Sequence, residues 1–132
     1  MLLSCSAGWL AFFSRRHGIA VRLTFSQAVS LADARRGLEL FKQFNVPVLG
    51  IVENMSYLVM PNGERLDVFG QGGGEQLAKD TGVDFIGNIP LDPEVCVGGD
   101  TGNPIVISQP ESQAAISLLD IADAIARIST TQ

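Results

Sequence analysis

Val46-Pro47-Val48-Leu49-Gly50-Ile51-Val52-Glu53-Asn54-Met55-Ser56-Tyr57 is the stretch that decides how this chain is read. Val48 to Val52 is an almost unbroken apolar run, bounded by Pro47 and by the polar pair Glu53-Asn54. A strand with one wet face alternates apolar and polar residues. A run that is apolar throughout indicates a strand buried on both faces, as in a parallel sheet covered by helices. Upstream, Ser30 and Asp33 form an S-x-x-D capping pattern. Leu31, Ala34, Leu38 and Phe41 follow at helical spacing, and the helix should end near Asn45, before Pro47.

Downstream, Tyr57 to Met60 and Leu66 to Phe69 read as two short strands facing each other across Pro61-Asn62-Gly63. Proline presets φ there, and Asn-Gly tolerates positive φ. Gly70-Gln71-Gly72-Gly73-Gly74 leads into a helix over Glu75 to Thr81, stopped by Gly82. Asp84 to Ile89 is a second buried strand, closed by Pro90. Pro93 to Gly102 reads as a loop holding a helical turn at most, and Pro104 to Ser108 as a short strand. Ser112 caps a last helix with two stripes. Ile116, Leu119, Asp123 and Ala126 form one; Leu118, Ile121, Ile125 and Ile128 form the more apolar one, which should face the core. Strands alternating with helices predict an α/β sheet with right-handed crossovers. Two central strands make a thin core, as if this were half of something larger. Phe25, Leu38, Phe41, Val48, Leu49, Ile51, Val52, Phe85, Ile86, Leu118, Ile121 and Ile125 are the expected core.

The composition narrows the function. The 132 residues are 46% hydrophobic and 17% charged, enough to build a core and too apolar for a disordered chain. A net charge of −5 with nine basic residues argues against binding nucleic acid through phosphate neutralisation. The two cysteines, Cys5 and Cys96, lie far apart and form no C-x-x-C pair; a secreted disulfide scaffold would carry more. His17 has no sequence neighbour with which to bind a metal or build a triad. The apolar start, Met1 to Phe13, precedes its basic pair Arg15-Arg16, the reverse of a signal peptide, and is too short to span a membrane. No membrane association is expected.

Three stretches resemble the Mrp/ApbC family of iron–sulfur cluster carriers within the MinD/ParA-like P-loop ATPases. The first runs from Ser30-Leu31-Ala32-Asp33-Ala34-Arg35-Arg36-Gly37 through Val46 to Tyr57. The second is Asp67-Val68-Phe69-Gly70-Gln71-Gly72-Gly73-Gly74 with Leu77-Ala78. The third is Gly87-Asn88-Ile89-Pro90-Leu91-Asp92-Pro93 with Gly99-Asp100-Thr101-Gly102-Asn103-Pro104-Ile105-Val106. The resemblance covers residues 24–128 in order, leaving 1–23 as an atypical segment. It implies a partial P-loop NTPase-like parallel sheet flanked by helices, without the family's N-terminal half. It also implies cytoplasmic ATP binding at the C-terminal ends of parallel strands, a [4Fe–4S] cluster bridged in a homodimer, and delivery of that cluster to iron–sulfur apoproteins. Asn54 matches the family position whose carboxamide faces the adenine, since an amide offers both a donor and an acceptor; the bland alternative is an Asn that caps its own turn. Pro90, Leu91 and Asp92 match the loop on the other side of the base, against the alternative of a simple strand-ending turn.

The chain also departs from the family pattern. Gly70 to Gly74 precedes a helix, where glycines can cradle an anion, but no lysine follows. Lys42 and Lys79 are the two lysines, and no G-K-[ST] occurs anywhere. Without a Walker A lysine and a hydroxyl for Mg²⁺, phosphoryl transfer lacks electrostatic support, so hydrolysis by this chain alone is not expected. Where many relatives carry C-P-x-C, this chain has Met60-Pro61-Asn62-Gly63, so the cluster's thiolate ligands are absent there. Cys96 matches no family ligand position. Of Val21-Arg22-Leu23-Thr24-Phe25-Ser26-Gln27, only Thr24 and Gln27 fit the family, which suggests a shifted frame or misplaced start before residue 24. Beside the carrier reading stand two others. One is a non-catalytic interaction module that pairs with an intact homologue or a separately encoded N-terminal half; the other is a non-functional remnant with an exposed apolar sheet edge.

Overall fold

The computed structural model describes residues 11–14, 19–24 and 27–130, with side chains described for Thr24 and for 27–128. Phe25 and His17 lie outside the described residues. The first described elements are two strands, β1 (Ala11–Ser14) and β2 (Ile19–Thr24). Helix α1 (Ala28–Gln43) leads to β3 (Val48–Glu53), and β4 (Leu58–Val59) and β5 (Arg65–Leu66) form a small hairpin. Then follow α2 (Gly73–Thr81), β6 (Phe85–Asn88), α3 (Pro93–Thr101), α4 (Ile105–Ser108) and α5 (Gln113–Thr130).

The main sheet has the order β1-β2-β3-β6. β2, β3 and β6 run parallel, and β1 pairs antiparallel with β2. The expectation of two central strands is therefore corrected. β2 lies inside the sheet beside β3, whereas β6 is at its edge. The register between β2 and β3 shifts between Ala20 and Val21, which pair with Val48 and Gly50 and leave Leu49 as the extra residue. The shift explains how Leu49 and Val52 share one face. They pack with Ile89 and Ile121 of α5, joined by Ile86, Leu118, Ile125 and Ile128. On the other face Ile51 meets Ala34 and Leu38 of α1 and Leu77 and Ala78 of α2, with Val48 and Phe85 alongside. Helices thus cover both faces, which is why β3 has no polar position before its end. A third cluster of Ile105, Ala114 and Ala115, with Val95, Val106 and Leu118, seats α3 and α4 on α5.

The α5 stripe of Leu118, Ile121, Ile125 and Ile128 faces the core as expected, while Ile116 and Leu119 are exposed. Ser112 Oγ accepts from the Ala115 N–H at 3.2 Å, so the cap also stands. Gly82 ends α2 in the left-handed region that glycine adopts without cost. Three expectations fail. α1 starts before Ser30, at Ala28 behind Gln27, whose side chain makes no capping bond. Pro93–Thr101 is a helix rather than a loop, because Asp92 accepts from the Glu94 N–H and Pro93 stands in the first turn, where it lacks only an N–H with no helical partner. Ile105–Ser108 is a helical turn rather than a strand; Ile107 N–H and Ser108 N–H both donate to Pro104 O.

Candidate functional site

The candidate site lies at the C-terminal ends of β3 and β6, the end at which open α/β sheets receive ligands. β3 ends at Glu53, and the next residue, Asn54, donates its backbone N–H to Thr24 O of β2 at 2.7 Å. The Asn54 side chain is half-buried, and its Oδ1 accepts from the Met55 N–H at 3.0 Å. The carboxamide therefore caps its own turn through Oδ1. Met55 sits at φ +52°, a left-handed conformation unusual for a residue other than glycine. Ser56 and Tyr57 are buried behind it.

The loop after β6 is bound to this turn. Ile89 N–H donates to Glu53 O at 2.8 Å, Ser56 N–H to Ile89 O at 3.0 Å, and Leu91 N–H to Tyr57 O at 2.7 Å. The parallel ladder thus continues past both strands and holds Asn54 and Pro90-Leu91 on one rim. Pro90 is buried; Leu91 and Asp92 are half-buried. Asp92 has a second task, because its Oδ1 accepts from the Glu94 N–H at 3.0 Å and starts α3. The backbone thus brings together all four residues singled out from the sequence.

The Gly70 to Gly74 segment has its own anion. Glu53 Oε2 accepts from the Gly74 N–H at 2.6 Å, and Oε1 accepts from Ser56 Oγ at 3.1 Å. Glu53 is 3% exposed. A protein carboxylate fills the start of α2, which gives the physical reason for not reading this loop as a phosphate cradle. A Cβ on Gly74 would come within 2.9 Å of Glu53 Oε2 and 3.0 Å of its Cβ, so the helix reaches the carboxylate only with glycine there. The sequence reading missed Glu53 and Ser56. The available signal was a carboxylate ending a strand that is otherwise buried throughout.

Directly after the rim turn, the β4–β5 hairpin carries Met60, Pro61, Asn62 and Gly63 at its turn. Among the described residues no group of three His, Cys, Asp or Glu side chains is placed to hold a metal ion. Cys96, on α3, is disulfide-bonded. The residues present do not fit thiolate ligation of a cluster at the hairpin.

Residues 12–126 match the family described as ParA, NUBPL iron-transfer P-loop NTPase. The chain belongs to this family. A relative in the carrier family, the iron–sulfur cluster carrier protein of Synechocystis sp., is 52% identical over 109 residues, which is 81% of this chain and 31% of that protein. The chain spans about a third of the length of the curated relatives it matches. Among solved structures, the cell-division ATPase MinD of Pyrococcus furiosus shares the fold with a TM-score of 0.65 at 22% identity, over 84% of this chain and 43% of MinD. A nucleotide-binding protein of Archaeoglobus fulgidus, solved in complex with ADP, is 33% identical, with a TM-score of 0.59 over 73% of this chain and 39% of that one. The α/β sheet described above is thus part of a MinD/ParA-type P-loop ATPase fold. Among the described residues no helix is long and apolar enough to cross a membrane.

Proposed function

We propose that this chain is the base-binding portion of an ATP-linked iron–sulfur cluster carrier and does not hydrolyse ATP by itself. The observation that carries the proposal is the hydrogen-bonded rim that holds Asn54 beside Pro90 and Leu91 at the sheet's C-terminal end. A purine needs an amide at its polar edge and apolar walls on its faces. Asn54 supplies the amide through its Nδ2, and Pro90 and Leu91, with Asp92 fixing the start of α3, supply the wall. That a 33% identical relative was solved with ADP supports a nucleotide here. The phosphate side has no such support, since the sequence lacks G-K-[ST] and Glu53 occupies the start of α2. On this reading the carrier-like portion, set at residues 24–132 from the sequence, extends back through β2, and the atypical part of 1–23 is the stretch ahead of the family match at residue 12. The protein acts in the cytoplasm, as a homodimer or joined to an Mrp-like N-terminal half that supplies the phosphate loop. The cluster is cargo, passed to iron–sulfur apoproteins, with its thiolate ligands supplied outside the Met60 to Gly63 turn.

The test is saturation-transfer NMR with ATP, paired with a phosphate-release assay on the purified chain. The adenine protons should receive saturation from the wild type and lose it in Asn54→Ala, with phosphate release at the buffer level. Hydrolysis by this chain alone, or saturation unchanged in Asn54→Ala, would sink the proposal.

A second reading, an interaction module that pairs with an intact homologue or a separate N-terminal half, is favoured by α1. Leu40 and the C-cap residue Phe44 form an exposed apolar pair at the end of α1, 50% and 71% exposed, on the side away from the buried Ala34 and Leu38; Val29, 76% exposed, stands apart from them beyond the Asp33–Arg36 ion pair. An exposed apolar pair of this kind is a candidate contact surface. Co-purification of the chain with an N-terminal-half partner, lost in Phe44→Glu, would support this reading. A monomer that ignores such a partner would end it.

A further inference from the structure

We propose that Glu53 is the positioning residue of the turn that carries Asn54, holding it through a latch to Ser56 and to the first turn of α2. The inference rests on the adenine-facing reading of Asn54 and names the group that gives that reading its geometry. A carboxylate in a site 3% exposed needs hydrogen-bond donors around it, and both of its oxygens have them. The Gly74 N–H comes from the start of a nine-residue helix, where the aligned peptide dipoles favour negative charge. The Ser56 hydroxyl comes from the far end of the same turn, three residues on. The carboxylate therefore closes a ring over Asn54 and Met55 and ties that ring to a different element of the fold.

The backbone within the ring bears the mark of being held. Met55 keeps φ +52°, which a side-chain-bearing residue adopts only where its surroundings impose it. The main chain is fixed on either side of it, by Asn54 N–H to Thr24 O and by Ser56 N–H to Ile89 O. The glycine at position 74 belongs to the same device, because any side chain there would push against Glu53. Glu53 spends Oε2 on the first turn of α2 and Oε1 on Ser56, so its effect on a base beside Asn54 is exerted through the turn.

The experiment uses the full chain, ¹⁵N-labelled, with ATP and GTP as probes. Glu53→Met keeps the volume and removes both acceptors. We expect the Gly74 and Met55 amides to exchange about 10-fold faster or more, with Ile51 and Val52 still protected. We also expect the preference for ATP over GTP to fall about 10-fold, as it should in Asn54→Ala. Ser56→Ala removes one arm of the latch and Glu53→Gln weakens both. These carry the same signs with smaller effects if Glu53→Met does not fold. A purely structural Glu53 would lower the unfolding midpoint and leave the nucleotide preference and the Met55 amide unmoved, and that result overturns the proposal. A wild type without any ATP preference removes the adenine reading; the Met55 and Gly74 amides then still decide whether Glu53 holds the turn.

Discussion

Gly50→Ala should destabilise the fold by more than its single added methyl suggests. Gly50 sits in the middle of β3, and a Cβ built there would lie 2.4 Å from Ile86 Cγ1, 2.5 Å from Ile86 Cδ1 and 2.9 Å from Asp84 O. The Ile86 end can rotate away, but it then leaves the cluster of Leu49, Val52, Ile89 and Ile121 that it helps to fill. The third atom is backbone, and Asp84 O also accepts from the Ile51 N–H at 2.8 Å, so relieving that clash stretches the bond that starts the β3–β6 pairing. Overpacking a filled core costs about 1–3 kcal/mol. Lower chain entropy in the unfolded alanine variant returns about 0.4–1 kcal/mol where the native backbone suits alanine. The net expectation is a loss of about 1–2 kcal/mol, read as a urea midpoint lower by about 1 M with an unchanged slope. The diagnostic assay is a double-mutant cycle with Ile86→Ala, which removes both clashing side-chain atoms. The two changes should couple, the pair being more stable than the sum of the singles by about 1 kcal/mol. Full additivity, or a Gly50→Ala midpoint equal to wild type, would refute the steric argument.

Leu38 is fully buried between α1, Ile51, Leu77 and Ala78, so Leu38→Ala should cost about 2–5 kcal/mol in equilibrium unfolding, whereas Leu40→Ala on the exposed side should cost little. Asp92→Ala removes the cap of α3 and should cost about 1 kcal/mol, with Asp92→Asn nearly neutral by the same measurement. Asp80 titrates below the ordinary aspartate range, because the Gln76 amide and then the Arg35 guanidinium donate to its carboxylate at 2.8 Å each. A depressed folded-state value adds stability above the unfolded value and loses it as pH falls through the folded one. The difference in midpoint between wild type and Asp80→Asn should therefore be constant at neutral pH and shrink only below about pH 4, and salt should reduce it because the pair is exposed.

What the sequence revealed and what it hid divide along physical lines. β3 was legible because burial on both faces leaves an uninterrupted apolar run, and α5 because one stripe is apolar over four positions; β6, a half-buried edge strand, showed itself by the short apolar pair Phe85-Ile86 ahead of Pro90. The helix over Pro93–Thr101 was hidden by Gly98 and Gly99, poor helix formers, although its start signals, Asp92 and Pro93, stood in plain order. The turn over Ile105–Ser108 was hidden by three β-branched residues whose strand preference lost to packing against Ala114 and Ala115. β2 was hidden because Val21 to Leu23 departs from the family pattern, yet five residues of β2, Ala20 to Thr24, pair in parallel with β3.

The site was legible to a similar depth. Asn54 and Pro90 could be placed at strand ends from the pattern, while grouping them with Leu91 and Asp92 as a candidate site came from the family resemblance; the ladder that joins their loops follows from parallel pairing. The glycine-rich segment could not be resolved that way. A run of glycines ahead of a helix says that an anion approaches closely; it does not say whose anion it is. In a P-loop a lysine and a hydroxyl follow and the anion is a phosphate. Here neither follows, and the anion is Glu53, 21 residues upstream in the chain. The same local chemistry that would bind a nucleotide is used to fasten the strand-end turn on which Asn54 sits. That pairing is long-range, so residue spacing carries no trace of it. It also has a consequence at both ends: loss of the Glu53 carboxylate should loosen the start of α2 and the Asn54 turn together, although the two lie on different elements and share no neighbouring sequence.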